Sequence, residues 1–186
     1  LHIALSEKDN HTKGADGDIP ESIIPLTPST SFRFFSSQGT VQERALIYDI
    51  LKHMDVFKQH DRQLSNFLSC NVTGWSYNIE YYDKKIKMCG EEYLANMIAT
   101  LEERLSNDLI EKIINLATTD ATSKQRAVVI NNIRRIFAEI SIDMLDPDLV
   151  IMDEFQRFNT LLEQSDDEQS MLANRFFNTN KHNTKI

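Results

Sequence analysis

A chain of 186 residues, 41% hydrophobic and 26% charged, has the composition of a folded globular protein and not of a disordered one, and it can enclose a sizeable core as one domain. A net charge of −8 opposes a module that grips nucleic acid unaided, because phosphate neutralisation supplies most non-specific affinity. No apolar run approaches the ~18 residues of a membrane span, and no basic stretch followed by an apolar one opens the chain, so we expect a cytoplasmic protein with no membrane partner.

Residues 1–21 hold Lys13, Gly14, Asp16, Gly17, Asp18 and Pro20 with few apolar positions after the first five, the composition of a loop. Ile23 to Leu26 reads as a short strand, followed by the turn Thr27-Pro28-Ser29-Thr30-Ser31. Glu43 to Met54 places Leu46, Ile47, Ile50, Leu51 and Met54 on one helical stripe, and Asp61 to Leu68 suits a short second helix. Trp75, Tyr77, Ile79 and Tyr81 alternate, and Asp83-Lys84-Lys85 leads on to Ile86 and Met88, which predicts a hairpin. Its aromatic residues are expected to pack at a core edge in preference to stacking on bases.

The longest helix is expected from Glu91 to about Ala117, with Leu94, Met97, Ile98, Leu101, Leu105, Leu109, Ile113 and Leu116 at spacings of three and four. Ser123 to Met144 predicts another, burying Val128, Val129, Ile133, Ile136, Phe137 and Ile140 and ending before Pro147. Arg134 and Arg135 are expected to solvate that helix, the alternative being that they face a phosphate. Leu149 to Met152 reads as a buried strand, and Glu168 to Phe177 as a last helix. The fold class expected is mainly α with a few strands.

The strand Leu149 to Met152 runs into Asp153 and Glu154. In an open α/β sheet ligands bind at the carboxyl ends of strands, so acids placed there point into a crevice. That is the layout of a magnesium-nucleotide site, in which one carboxylate holds hydrated magnesium and the next polarises the attacking water. Taken alone, the same two acids could merely cap the following helix.

The run Asp146-Pro147-Asp148-Leu149-Val150-Ile151-Met152-Asp153-Glu154-Phe155-Gln156-Arg157-Phe158 resembles the second motif of superfamily-two helicases and translocases. It is most similar to Snf-type, helicase-like proteins of bacteria, many attached to restriction and phage-defence systems, whose motif reads Asp-Glu-x-His or Asp-Glu-x-Gln; Gln156 fills the fourth place. Upstream and in the right order, Ile23 to Phe32 resembles the strand and Thr-Pro turn that such motors lay on the nucleic-acid backbone. Hydroxyls at Thr27, Ser29, Thr30 and Ser31 suit that role, since they can grip phosphate oxygens without reading bases. Gln42 to Leu51 and Asn183 to Ile186 are also similar to the family, whereas residues 60–120 match nothing specific in it.

The resemblance implies a partial RecA-like α/β motor domain carrying a large helical insertion. Residues 1–40 would supply the loop, strand and turn, 41–145 the insertion, and 146–186 the acid-bearing strand with its following helices. ATP and Mg2+ are the implied cofactors, Asp153 holding magnesium through water and Glu154 activating the nucleophilic water. Gln156 and Arg157 would couple the nucleotide state to neighbouring motifs and to nucleic acid. DNA or RNA and the remaining motor domains of the same polypeptide are the implied partners.

No Gly-x-x-x-x-Gly-Lys-Ser/Thr loop occurs in the 186 residues, so the phosphate cradle and its lysine are missing. The expectation is therefore an internal piece of a larger motor, inactive alone. The alternative of a different class is a helical interaction or regulatory module in which the acids only cap a helix. A metal-dependent nuclease built on Asp153 and Glu154 is weaker, because no further acid and lysine can be picked out. Cys70 and Cys89, with 18 residues between them and no metal-site spacing, are expected to be buried free thiols.

Overall fold

A computed structural model describes residues 38–119, 121–144 and 168–178, and helix dominates them, with no strand among the described residues. The expectation of a mainly α chain is met. The two strands expected on either side of the helical insertion, Ile23 to Leu26 and Leu149 to Met152, lie outside the described residues.

The first described helix, α1 (Val41–Leu51), starts at a capping box. The Thr40 hydroxyl accepts from Glu43 N at 3.2 Å, and the Glu43 carboxylate accepts from Thr40 N at 2.8 Å, so two end donors are satisfied at once. Eight of the eleven α1 residues are buried, including Arg44 and Asp49. A helix covered on nearly every side belongs at the centre of a bundle and not on its surface.

Gly39 precedes this cap at φ +70°, a left-handed conformation that L side chains rarely adopt. An added Cβ would press on Arg134 Nε and lie 2.7 Å from both Arg134 Cζ and Glu43 Oε2. Gly39→Ala is therefore expected to destabilise the fold by about 2–4 kcal/mol, from backbone strain plus displacement of the Arg134–Glu43 ion pair. Urea unfolding of the single variant and of Gly39→Ala combined with Arg134→Ala separates the two contributions. Strict additivity would mean that the clash with Arg134 is not part of the effect.

After α2 (Asp55–Lys58), α3 (Asp61–Ser69) ends at two successive non-glycine residues with positive φ, Cys70 at 50° and Asn71 at 57°. Its last carbonyls are taken by Arg44, which is 4% exposed: Nε donates to Leu68 O at 2.7 Å and Nη2 to Ser69 O at 3.5 Å, while Nη1 donates to Gly39 O, before α1, at 2.8 Å. A guanidinium suits that position because a helix carboxyl end carries partial negative charge.

The expected hairpin is instead α4 (Trp75–Cys89), a fifteen-residue helix. Alternation over four aromatic and apolar positions is short, and the same stretch also supports a helical stripe: Trp75, Ile79, Tyr82 and Ile86, spaced four, three and four, are the residues packed inward. Asp83-Lys84-Lys85 contains no Gly, Asn or Pro to turn the chain; its charges make i,i+4 pairs, Lys84 with Glu80 and Lys87 with Asp83. Gly90, at φ 91°, turns the chain sharply from α4 into α5 (Glu91–Arg104).

The single helix expected over residues 91–117 is two. Leu105 adopts an extended conformation, and Ser106 caps α6 (Asn107–Thr118) by accepting from Leu109 N at 3.2 Å. Ser-Asn-Asp is a start signal that the uninterrupted apolar stripe concealed. Helix α7 (Ser123–Met144) has the expected bounds, although Val128 is 57% exposed and not on the buried side. Helix α8 (Glu168–Asn178) packs on α7, and its Leu172 and Ala173 are buried.

The core is built around α1, which packs on α4, α3, α5 and α7, while α3 meets α6, and both α5 and α6 meet α7. Phe57, Phe67 and Phe137 are the largest fully buried side chains, with Ile47, Ile50 and Leu51 of α1 between them. Burying such residues is the main stabilising contribution, at about 1.5–3 kcal/mol per large apolar side chain.

Candidate functional site

Thr27, Ser29, Thr30, Ser31, Asp153, Glu154, Gln156 and Arg157 all lie outside the described residues. What is described is the frame on either side of residues 145–167. Helix α7 ends at Met144, α8 begins at Glu168, and the two pack against each other. Arg175 of α8 grips Asp143 near the end of α7 with two parallel hydrogen bonds, Nε to Oδ1 at 2.8 Å and Nη2 to Oδ2 at 2.7 Å. Arg104 at the end of α5 bonds the same carboxylate and lies 3.5 Å from Glu139. Paired oxygens facing a planar fork give this junction directional as well as electrostatic hold.

Burial works to raise the Asp143 pKa, but the hydrogen bonds and charges of Arg175 and Arg104 hold it below the usual carboxylate value. The clasp therefore persists at neutral pH and is lost only in acid. It was not legible in the sequence: Asp143 and Arg175 are 32 residues apart, and no local spacing links them.

Arg104, Arg135 and Arg175, with Lys112, also line an open cleft of about 580 Å³ at the start of α6. Each of these cations has an acidic neighbour: Lys112 meets Asp108 at 2.6 Å, and Arg135 lies 3.8 Å from Glu139. An incoming anion would have to displace internal carboxylates, so the cleft works chiefly as the fastening between helices. Arg135 thus belongs to the cleft wall. Arg134, expected in solvent, is 7% exposed and donates to Glu43 at 3.1 Å. That pair ties the start of α1 to α7 across 91 residues.

A second buried charge lies at the interface of α1 and α4. Asp49 is fully buried; Oδ1 accepts from Lys52 at 2.8 Å, and Oδ2 has no hydrogen-bond partner. Lys52 also reaches Asp83 of α4 at 3.0 Å. Burial raises the Asp49 pKa to about 6, and neither the hydrogen bond nor the charge of Lys52 brings it back. Burial works to lower Lys52, but its bonds to Asp49 and Asp83 carry it above the usual value.

A folded-state pKa above the unfolded value makes Asp49 a group whose protonation stabilises the fold. Its contribution is fully present below about pH 4, falls by about 1.4 kcal/mol per pH unit as the pH rises toward 6, and is then lost, about 3 kcal/mol in all. Asp49→Asn removes the titration. We expect wild type to lose stability relative to this variant between about pH 4 and 6, with a constant difference above. Exposed His53, whose pKa is lowered first by burial and then by Lys52, works in the opposite direction but cancels in the comparison. Urea midpoints for both proteins across this range provide the check, and a pH-independent difference would mean that Asp49 does not titrate there.

Cys70 and Cys89 are half-buried, and burial raises the Cys70 thiol. Among the described residues no group of three or more His, Cys, Asp or Glu could hold a metal ion, and no described helix is long and apolar enough to cross a membrane. No family model matches the chain, and neither do curated proteins or solved structures.

Proposed function

We propose that the chain is part of the first motor domain of an ATP-driven helicase or DNA translocase of superfamily two. Asp153 holds magnesium through water, Glu154 activates the attacking water, and Gln156 with Arg157 couples hydrolysis to nucleic acid. The observation that carries this reading is the ordered pair of motifs, the Thr-Pro-Ser-Thr-Ser turn at residues 27–31 and Asp-Glu-Phe-Gln at residues 153–156. The helices between them support it: described residues 41–144 pack around their own core, as expected of a unit inserted between strands. The clasp of Asp143 and Arg175 supports it further, because it holds together the two helices that flank the acids.

ATP and Mg2+ serve the longer polypeptide that would supply the phosphate loop, and this chain alone is inactive. The test is ATP hydrolysis by that polypeptide, with and without DNA or RNA. Magnesium-dependent, nucleic-acid-stimulated turnover is expected, and its absence would sink the motor. The uniformly helical described residues favour one alternative, a helical interaction or regulatory module, which would show no turnover under any condition.

A further inference from the structure

Three of the eight large apolar or aromatic side chains exposed among the described residues share one face of α4: Tyr77, 72% exposed, Tyr81, 42% exposed, and Met88, 55% exposed. A folded monomer scatters such residues singly, so their alignment calls for a cause. Together with Lys84 they are spaced four, three and four residues apart, the repeat of a seam between paired helices. The strip is about 16 Å long and lies on the side of α4 opposite its packed stripe. The aromatic residues expected at a core edge are thus divided: Trp75 and Tyr82 pack inward, and Tyr77 and Tyr81 do not. Lys84 and Lys87 each lie against a carboxylate, Glu80 at 2.7 Å and Asp83 at 2.6 Å. The side chains of Glu80, Lys84 and Lys87 are all well exposed, so each can reach a neighbouring molecule.

We propose that this face of α4 pairs with the same face of a second copy of the chain, the two helices antiparallel about a twofold axis passing between Tyr82 and Asp83. Tyr77 then lies level with Met88 of the second copy and Tyr81 with Lys84, and symmetry repeats each contact. A thioether against an aromatic ring and an ammonium over a phenol ring are both favourable. Like flanks of antiparallel helices face each other, which brings Glu80 beside Lys87 of the second copy. Glu80 bonds Lys84 through Oε1, and a carboxylate accepts at both oxygens, so it can hold both lysines. Parallel pairing would instead set Lys84 against Lys84. A lysine within a seam costs stability but fixes register and orientation. The strip is therefore complementary to itself in one orientation, which selects a second copy over an unrelated helix. Nucleic acid gains little here, because its phosphates would compete with Glu80 and Asp83 in a chain of net charge −8. The same net charge opposes association, but salt screens it beyond about 8 Å, whereas the contacts in the strip are closer. One helix face supplies less than the ~1,000 Å² of a stable interface, so the dimer is weak, with a dissociation constant on the order of 10⁻⁴ M. The pairing goes beyond the motor reading and does not depend on it.

The test is sedimentation equilibrium of the 186-residue chain at concentrations up to about ten times that constant, with circular dichroism to establish that each variant stays helical. A monomer and dimer in equilibrium are expected. Tyr77→Ser with Met88→Ser should weaken association by about tenfold or more, since these side chains form the outer layers of the seam. Glu80→Lys alone and Lys87→Glu alone should each weaken it by about threefold, because like charges then meet across the axis at two places. An equal mixture of those two variants should associate more tightly than either alone, each supplying the charge that the other has lost. A chain that stays monomeric, a dimer that survives loss of Tyr77 and Met88, or a mixture no tighter than its components would overturn the pairing. Oligothymidine bound by a monomeric chain would give the first of these results and assign the face to nucleic acid.

Discussion

Glu154→Gln in a polypeptide that contains the complete motor is expected to reduce ATP turnover by about 10²–10⁴-fold while leaving magnesium-ATP binding nearly unchanged. The amide keeps the size and hydrogen-bonding reach of the side chain but cannot take the proton of the attacking water. On the proposed function, binding would be spared because the triphosphate would be held mainly by a phosphate loop that these residues lack and by magnesium, which Asp153 would still hold. Single-turnover hydrolysis together with calorimetry separates the two quantities. Unchanged turnover would remove Glu154 from the role of base. The isolated chain should neither hydrolyse magnesium-ATP nor bind it tightly, and micromolar affinity would show that another surface holds the phosphates.

Arg44→Ala should be the most damaging single change in the described fold, at about 3–5 kcal/mol. Hydrogen bonds from a charged donor contribute about 1.5–3 kcal/mol each, and removing the donor leaves buried carbonyls unsatisfied. Arg44 donates to carbonyls of Gln38, Gly39, Leu68 and Ser69, which belong to the entry to α1 and the exit from α3. Arg44→Lys should recover less than half of the loss, because one ammonium cannot span both chain segments. Against a typical total stability of about 5–15 kcal/mol, the alanine variant would be partly unfolded at room temperature. Urea titration followed by circular dichroism measures the effect; a loss under about 1 kcal/mol would mean that water replaces the guanidinium.

Where apolar period and helix ends agreed, the sequence was a sufficient guide. Ser123 to Met144 and Asp61 to Ser69 carry stripes long enough, or flanked clearly enough, to be recognised. It misled at Trp75 to Met88 because alternation over so few positions cannot separate the two periods, and the aromatic side chains suit either structure. At Leu105 the stripe ran unbroken through a cap, so one helix was expected where there are two. Local pattern could not reveal Arg134 with Glu43, or Asp143 with Arg175, since each pair joins helices distant in sequence. The proposed catalytic residues remain legible through the motif at residues 153–156 alone.

The central position of α1 also bears on how the chain comes to fold. Its apolar surface is covered by α3, α4, α5 and α7, so the last of its coverings, around Phe137, is made some 80 to 90 residues after Leu51. At ribosomal rates of about 5–20 residues per second, that interval lasts roughly 4–18 s. During this time Leu46, Ile47, Ile50 and Leu51 present a sticky surface without their final neighbours. Truncation before α7 should therefore yield aggregates and not a smaller soluble bundle, and the nascent chain should attract chaperones until α7 has emerged.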